Sequence, residues 1–454
     1  MKRRIKGFIG LLLGLTTVFV CLFSTSCGKN DESGSEGKVM HVAVYNTTTE
    51  KNAINAIIAA FKQKYPDYLA EQGIDDIEAK PMNESTYATT IQSKARTGTL
   101  PDVYLSLDML APVFASNEVS LNLTPYVEAN EEYKALVGDM YESMYAQGVF
   151  DNELHLVARE YARNVIYYNK AILRECGLSE PSNDWTWDDF CTYAKAMVKT
   201  ENGVVVRNGA DLSLNWPTNV FPIIIGLGDE IFDGNGEAAV GEKTAAAYAK
   251  LKELVDAGAV VNTFSATGTS FSNKTVGMAA GTRATIANML QYFTGEEKES
   301  WGVVCFPDTR AYNGGKSYIG AGTSGYSVSA KSRFKDAAVK FVMFMLSEEG
   351  QTAFASTGNF VPVKKSLATN ACWTTGLKIG LPSGFNHEAY TYNSEYDIRP
   401  FCNMIKDPSK QNAVITQINL MTEYYLSYGV NYKDYTTADG WATYWNNEIN
   451  NCFR

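Results

Sequence analysis

Three carboxylates stand where chemistry is conceivable: Glu50, Asp108 and Glu160. Two such groups held about 5–10 Å apart on rigid elements can hydrolyse a glycosidic bond. The chain has the carboxylates for that reaction, but nothing in the sequence sets their separation. Other hydrolytic chemistries lack parts, since there is no G-x-S-x-G, no HExxH and no Cys/His dyad. Eight cysteines and three histidines (His41, His155, His387) show neither a C-x-x-C pair nor a zinc spacing, so no metal or cofactor is expected. Gly320-Ala321-Gly322-Thr323-Ser324-Gly325 formally satisfies G-x-G-x-x-G. A dinucleotide fingerprint must open a helix, however, and Tyr326-Ser327-Val328-Ser329 reads on as a strand. A glycine-rich crossover beside a ligand fits better, because glycine tolerates the backbone changes of a hinge.

The elements that must position these groups begin with Val39 to Tyr45, a β-rich run. A polar loop follows, and then Ile54, Ile57, Ile58, Phe61 and Tyr65 recur at helical spacing until Pro66. Strand, loop and amphipathic helix open an α/β unit, and ligands in such sheets sit beyond the carboxyl ends of the strands. Tyr45, Asn46 and Glu50 are therefore cleft candidates. A second unit runs from a helix ending near Gly98 into a short strand ending at Asp108. Thr186 and Asp189 have the spacing of a capping box, which makes Trp185 and Trp187 packing residues. Lys243 to Gly258 predicts a helix burying Tyr248, Leu251 and Val255, with Gly258 as its cap. Ala338, Phe341, Val342 and Met345 predict another, and Ile415, Ile418, Met421 and Tyr425 one more. Trp373, Trp441 and Trp445 are expected in the core or at the surface, with a place on a cleft as the other reading.

A chain of 454 residues, 45% hydrophobic and 20% charged, is globular and large enough for two or three domains. Its formal charge of −10 excludes a nucleic-acid partner, which needs a clustered basic face. Lys2, Arg3, Arg4 and Lys6 precede an apolar run from Phe8 to Phe23, the pattern of an export signal. Ser24-Thr25-Ser26-Cys27-Gly28 then resembles a bacterial lipobox, with Ser24 where an aliphatic residue is usual. Residues 1–26 are expected to be removed and Cys27 lipidated with palmitate. Gly28 to Gly37 reads as a flexible tether. Six cysteines lie in the folded part; they are expected to be mostly free thiols, with Cys402–Cys452 the one pairing proposed.

Five motifs in order, YNTTTE, FKQKYP, SKARTGTLPDVYLSLD, WTWDDF and FSNKTVGMAAG, resemble the extracellular solute-binding proteins of ABC importers. Within these they are similar to the carbohydrate-type family that includes maltose-binding protein, over about Val39 to Val363. The resemblance implies an α/β, two-lobe, periplasmic-binding-protein-like (type II) fold with hinge crossovers between lobes. It implies lobe 1 at 38–159 plus 268–318, and lobe 2 at 160–267 plus 319–454. The first crossing falls at Arg159 to Arg163, within the stretch VAREYARNVIYYNK.

For the site, the resemblance places Asp108 at the mouth of the first lobe and makes Trp216, in Asn215-Trp216-Pro217, a stacking platform for a sugar ring. Arg159, Glu160 and Tyr161 lie on the first crossing. Arg283 lies on the return, where the family commonly has an aromatic residue. Gly322 and Tyr326 lie on the glycine-rich crossover. Arg159, Arg163 and Arg283 together suit an anionic or highly polar sugar; the other reading is an Arg159–Glu160 hinge network with no ligand contact. The implied function is a monomeric, lipid-anchored, non-enzymatic protein at the outer face of the cell membrane. It would capture a sugar or oligosaccharide by cleft closure and pass it to ABC permease subunits. The alternatives are an exported carbohydrate-active enzyme and a scaffolding lipoprotein.

Overall fold

The computed structural model describes residues 38–107, 110–315, 317, 324–375, 379–398, 403–405, 407–434 and 436–454. The signal, the tether, Cys27, Asp108, Gly322 and Cys402 all lie outside the described residues. Strand β1 (Val39–Tyr45) begins the first sheet, and Thr47 caps the helix that follows, Thr48–Lys64, by accepting from Glu50 N at 3.3 Å. That helix buries Ile54, Ile57, Ile58 and Phe61 as its periodicity predicts. Pro66 stands at the first position of a second short helix, Pro66–Glu71. Strands β2 (Asp76–Met82) and β3 (Val103–Leu107) run parallel to β1 on either side of it. After a small hairpin of β4 (Val149–Phe150) and β5 (Glu153–Leu154), β6 (Val157–Ala158) forms the far edge of this sheet.

The next strand, β7 (Val165–Asn169), belongs to a second sheet, so residues 159–164 link the two. Helix Trp187–Ala196 starts on the predicted Thr186–Asp189 capping box, with Trp185 and Trp187 buried. It leads into the hairpin β8 (Lys199–Glu201) and β9 (Val204–Asp211). Strands β10 (Val276–Gly281) and β11 (Trp301–Cys305) then pair antiparallel with opposite edges of β7. Gly302 sits across from Tyr168, where an added Cβ would come within 2.4 Å of the ring. The second sheet has the order β11-β7-β10-β9-β8.

Strand β12 (Ser324–Val328) returns to the first sheet, antiparallel to both β3 and β6, giving the order β2-β1-β3-β12-β6. Helices Lys335–Met345 and Glu348–Ala355 cover that sheet, Phe341 and Phe344 meeting Phe61 edge-on at 5.1 and 5.4 Å. The fold class is as expected: two mixed α/β layers joined by crossovers. The lobe boundaries are not. Residues 276–305 belong to the second sheet and 324–355 to the first, the reverse of the expected assignment. A strand buried on both faces is apolar throughout, and that pattern does not say which sheet receives it.

Beyond residue 356 the chain crosses again, and helices Gln411–Tyr428 and Ala438–Asn451 pack on Glu242–Asp256. Tyr248 is the centre of that contact, stacked on Tyr425 at 5.3 Å and hydrogen-bonded to Thr422 Oγ1 at 2.8 Å. Of the places open to Trp373, Trp441 and Trp445, the structure puts all three in the core. The five described cysteines, Cys452 among them, are free thiols, and Cys402, its proposed partner, lies outside the described residues. Among the described residues no helix is long and apolar enough to cross a membrane.

Candidate functional site

Between the two sheets lies a cleft of about 840 Å³. The first lobe contributes Tyr45 and Leu107, at the carboxyl ends of β1 and β3, with Gln92 from helix Tyr87–Thr97 and Ser324 from the start of β12. The second contributes Thr282 just past β10 and the run Ser213 to Asn219. Ala162 and Asn164 of the first crossover form the floor, and Asn412 and Ile415 of the Gln411–Tyr428 helix close one side. Strand ends converging on a crevice is where open α/β sheets bind ligands.

Trp216 dominates this surface. It is the residue before helix Pro217–Leu227, in which every residue from Thr218 to Leu227 is buried. A helix anchored that completely holds its first turn still, yet Trp216 itself is 59% exposed. Its carbonyl accepts from Asn219 N at 2.9 Å and its amide donates to Ser213 O at 2.9 Å. Asn164 Nδ2 donates to Asn219 Oδ1 at 2.7 Å, and Asn219 Nδ2 to Leu212 O at 3.0 Å, so an amide chain ties the crossover to the Trp216 turn. Tyr45 faces it from the other lobe, its ring edge-on to Tyr87 at 4.9 Å. Thr282 is fixed through its carbonyl, which accepts from the Tyr167 hydroxyl at 2.8 Å. Among the described residues lining the cleft there is no Asp, Glu, Lys, Arg or His.

Of the expected site residues, Tyr45 and Trp216 line this cleft. Asn46 is exposed beside Tyr45, its amide bonded to Met82 O at 2.7 Å, but is not part of the lining. The charged candidates turn away from it. Arg159 pairs with Glu50 at 2.5 Å and with Glu160 at 3.1 Å, and its Nε donates to Ser324 Oγ at 3.0 Å. Burial pushes the Glu160 carboxyl up to about 7, Arg159 pulling the other way and Glu50 adding repulsion. Tyr161 is fully buried, stacked on Tyr141 at 4.2 Å with its hydroxyl on Asp397, and Arg163 pairs with Asp397 at 3.0 Å. Tyr326 is buried within the first sheet.

Arg283 is buried too. Its three nitrogens donate to Gly358 O at 3.1 Å, His387 Nδ1 at 3.1 Å and Trp373 O at 2.8 Å. The rings of Trp373, Phe385 and Tyr390 surround it within 5.1–5.8 Å. Among the described residues no carboxylate pairs with it. Burial and the adjacent guanidinium hold the His387 imidazole down at about 4, so it stays neutral and accepts. Arg283 thus fastens the segment from 358 to 390 to the second lobe. The expectation that Arg159, Glu160, Tyr161, Arg283 and Tyr326 face a ligand is corrected: each side chain braces a crossover or the core.

The residues missed are mostly amides and hydroxyls: Gln92, Asn164, Ser213, Asn215, Asn219 and Asn412. Such residues are equally at home in turns and caps, so only the adjacency of Asn215 to Trp216 was a usable signal. Among the described residues no group of three or more metal-ligating side chains occurs.

The architecture is shared with solved sugar-binding proteins. The sugar-binding protein MalE from Xanthomonas citri superposes with a TM-score of 0.72 at 15% identity, over 91% of this chain and 97% of that one. The cyclic alpha-maltosyl-1,6-maltose binding protein from Arthrobacter globiformis gives 0.68 at 19%, over 91% and 98%. An ABC substrate-binding protein from Listeria monocytogenes, solved in complex with cycloalternan, gives 0.68 at 18%, over the same shares. At these identities the similarity speaks for the fold. Membership comes from the sequence itself: residues 56–379 match the family described as bacterial extracellular solute-binding protein. The chain belongs to the bacterial extracellular solute-binding proteins, whose place is outside the cytoplasm.

Proposed function

We propose that this protein captures a neutral sugar or oligosaccharide in the cleft between its lobes and delivers it to the permease of an ABC importer, held at the membrane by a lipid on Cys27. The observation that carries the reading is Trp216, an indole left 59% exposed on a rigid turn beside an 840 Å³ cleft whose largely apolar lining is interspersed with amides and hydroxyls. An electron-rich ring face suits the apolar C–H face of a pyranose, and surrounding amides suit its hydroxyls. The volume falls within the roughly 300–1,000 Å³ of small-molecule sites. The uncharged lining of the described residues favours a neutral ligand over the anionic sugar that the three arginines suggested. Contacts from both lobes would stabilise the closed arrangement once ligand is present.

Hydrolysis would need two carboxyl groups facing the bound glycan. Glu50 and Glu160 are both engaged by Arg159 behind the cleft wall, which counts against the enzymatic alternative. The test is a thermal-shift screen of neutral and acidic mono-, di- and oligosaccharides against the mature chain. A ligand at about 100 times its Kd stabilises by about 2.7 kcal/mol, readily seen as a rise in Tm. Release of cleavage products from any of these sugars would contradict the binding reading.

A further inference from the structure

One guanidinium at the first crossover faces two carboxyl groups from separate elements. Arg159 meets Glu50, from the first turn of helix Thr48–Lys64, at 2.5 Å and its neighbour Glu160 at 3.1 Å. Glu50 is 7% and Glu160 6% exposed. The Phe360 ring lies against the guanidinium, 5.4 Å from centroid to carbon. Glu50 Oε2 is buried with no hydrogen-bond partner. One cation balances one carboxylate, so burying both ionised carboxyls leaves a charge uncompensated in a poorly solvating site. A proton on one of them removes that imbalance. Burial, against Arg159 on its own segment and together with Glu50 from the helix, places the titration of Glu160 near neutrality; Tyr326 from β12 also faces it.

The cluster's place in the fold gives this a consequence. Residues 159–164 are the first link between the sheets, and a change in lobe angle must be absorbed there. Arg159 also ties that link to the second one: its amide donates to Ser324 O at 3.3 Å and its Nε to Ser324 Oγ, on the cleft wall.

We propose that Glu50, Arg159 and Glu160 make the balance between open and closed cleft proton-sensitive. With a proton on Glu160, Arg159 is held by Glu50 and Ser324, the pivot is dry, and the closed arrangement is favoured. Once the proton leaves, the extra carboxylate draws water into the pivot and the open arrangement is favoured. This rests on reading the cleft as a binding site that closes, and on no particular ligand.

The test uses the ligand-free mature chain from pH 5.5 to 8.5, followed by small-angle X-ray scattering and thermal unfolding. A buried carboxyl that keeps its proton longer in the folded than in the unfolded chain stabilises below the unfolded pKa and loses that contribution as pH rises through the folded one. Wild type should therefore lose Tm as pH rises towards about 7 and level off above it, and should gain radius of gyration across a transition centred near pH 7. Glu160→Gln should hold the acidic-side radius throughout. Glu50→Gln should move the transition to lower pH, because the repelling neighbour is gone, and it serves if the first variant fails to fold. A merely structural Glu160 would shift the Tm of Glu160→Gln equally at every pH and leave the radius unchanged. That result, or a wild-type curve flat in both measurements, overturns the proposal. Neither bears on whether a sugar binds.

Discussion

Trp216 and Arg283 should separate cleanly on substitution, because one is exposed on the cleft and the other is buried behind it. Trp216→Ala removes a stacking face and no packing, so affinity for the captured sugar should fall roughly 10- to 100-fold, about 1.4–2.8 kcal/mol, with Tm nearly unchanged. Calorimetric titration and thermal unfolding of the same preparation check both halves. Arg283→Ala should behave in the opposite way. It strands the carbonyls of Gly358 and Trp373 and leaves three rings around a cavity, a loss of about 2–4 kcal/mol. Sugar affinity should stay within about twofold. The His387 imidazole, depressed to about 4, adds a pH signature. Its stabilising contribution is present above the unfolded value of about 6.5 and lost as pH falls through about 4. The Tm of wild type should fall more steeply over that acid range than the Tm of His387→Gln. The sequence made Trp216 visible because a tryptophan beside a proline in a loop has few structural duties. It made Arg159, Glu160 and Arg283 look like ligand contacts because charge is conspicuous, whereas nothing in the spacing says which side of a crossover a side chain takes.

Elements position the site through short polar chains. The Asn164–Asn219 hydrogen bond joins the crossover to the helix that carries Trp216. A double-mutant cycle with Asn164→Ala and Asn219→Ala, read in sugar affinity, should show a coupling of about 1 kcal/mol. Strict additivity would mean that the two residues act independently. Helices were the most legible elements. The Thr186–Asp189 capping box and the apolar stripes of Thr48–Lys64 and Glu242–Asp256 are local signals, and the structure has all three. Strands gave their existence but not their partners. β10 and β11 both pair with β7 through contacts far apart in sequence, and that pairing alone decides their lobe. The Gln411–Tyr428 helix illustrates the same limit: its periodicity predicts a packed face, which it has, while Asn412 on the cleft follows only from where the helix docks.

At the scale of the molecule, two sheets and their crossovers enclose a large cleft, and the proposed function has that cleft close on its ligand. The most direct measurement is equilibrium binding of a panel of neutral mono- to tetrasaccharides, with uronic acids and sulfated sugars beside them, to wild type and Trp216→Ala. A neutral sugar should bind wild type, lower its radius of gyration in solution, and bind the variant at least tenfold more weakly. Binding confined to the anionic sugars, or a neutral sugar held equally well without the indole, would contradict the assignment of this cleft.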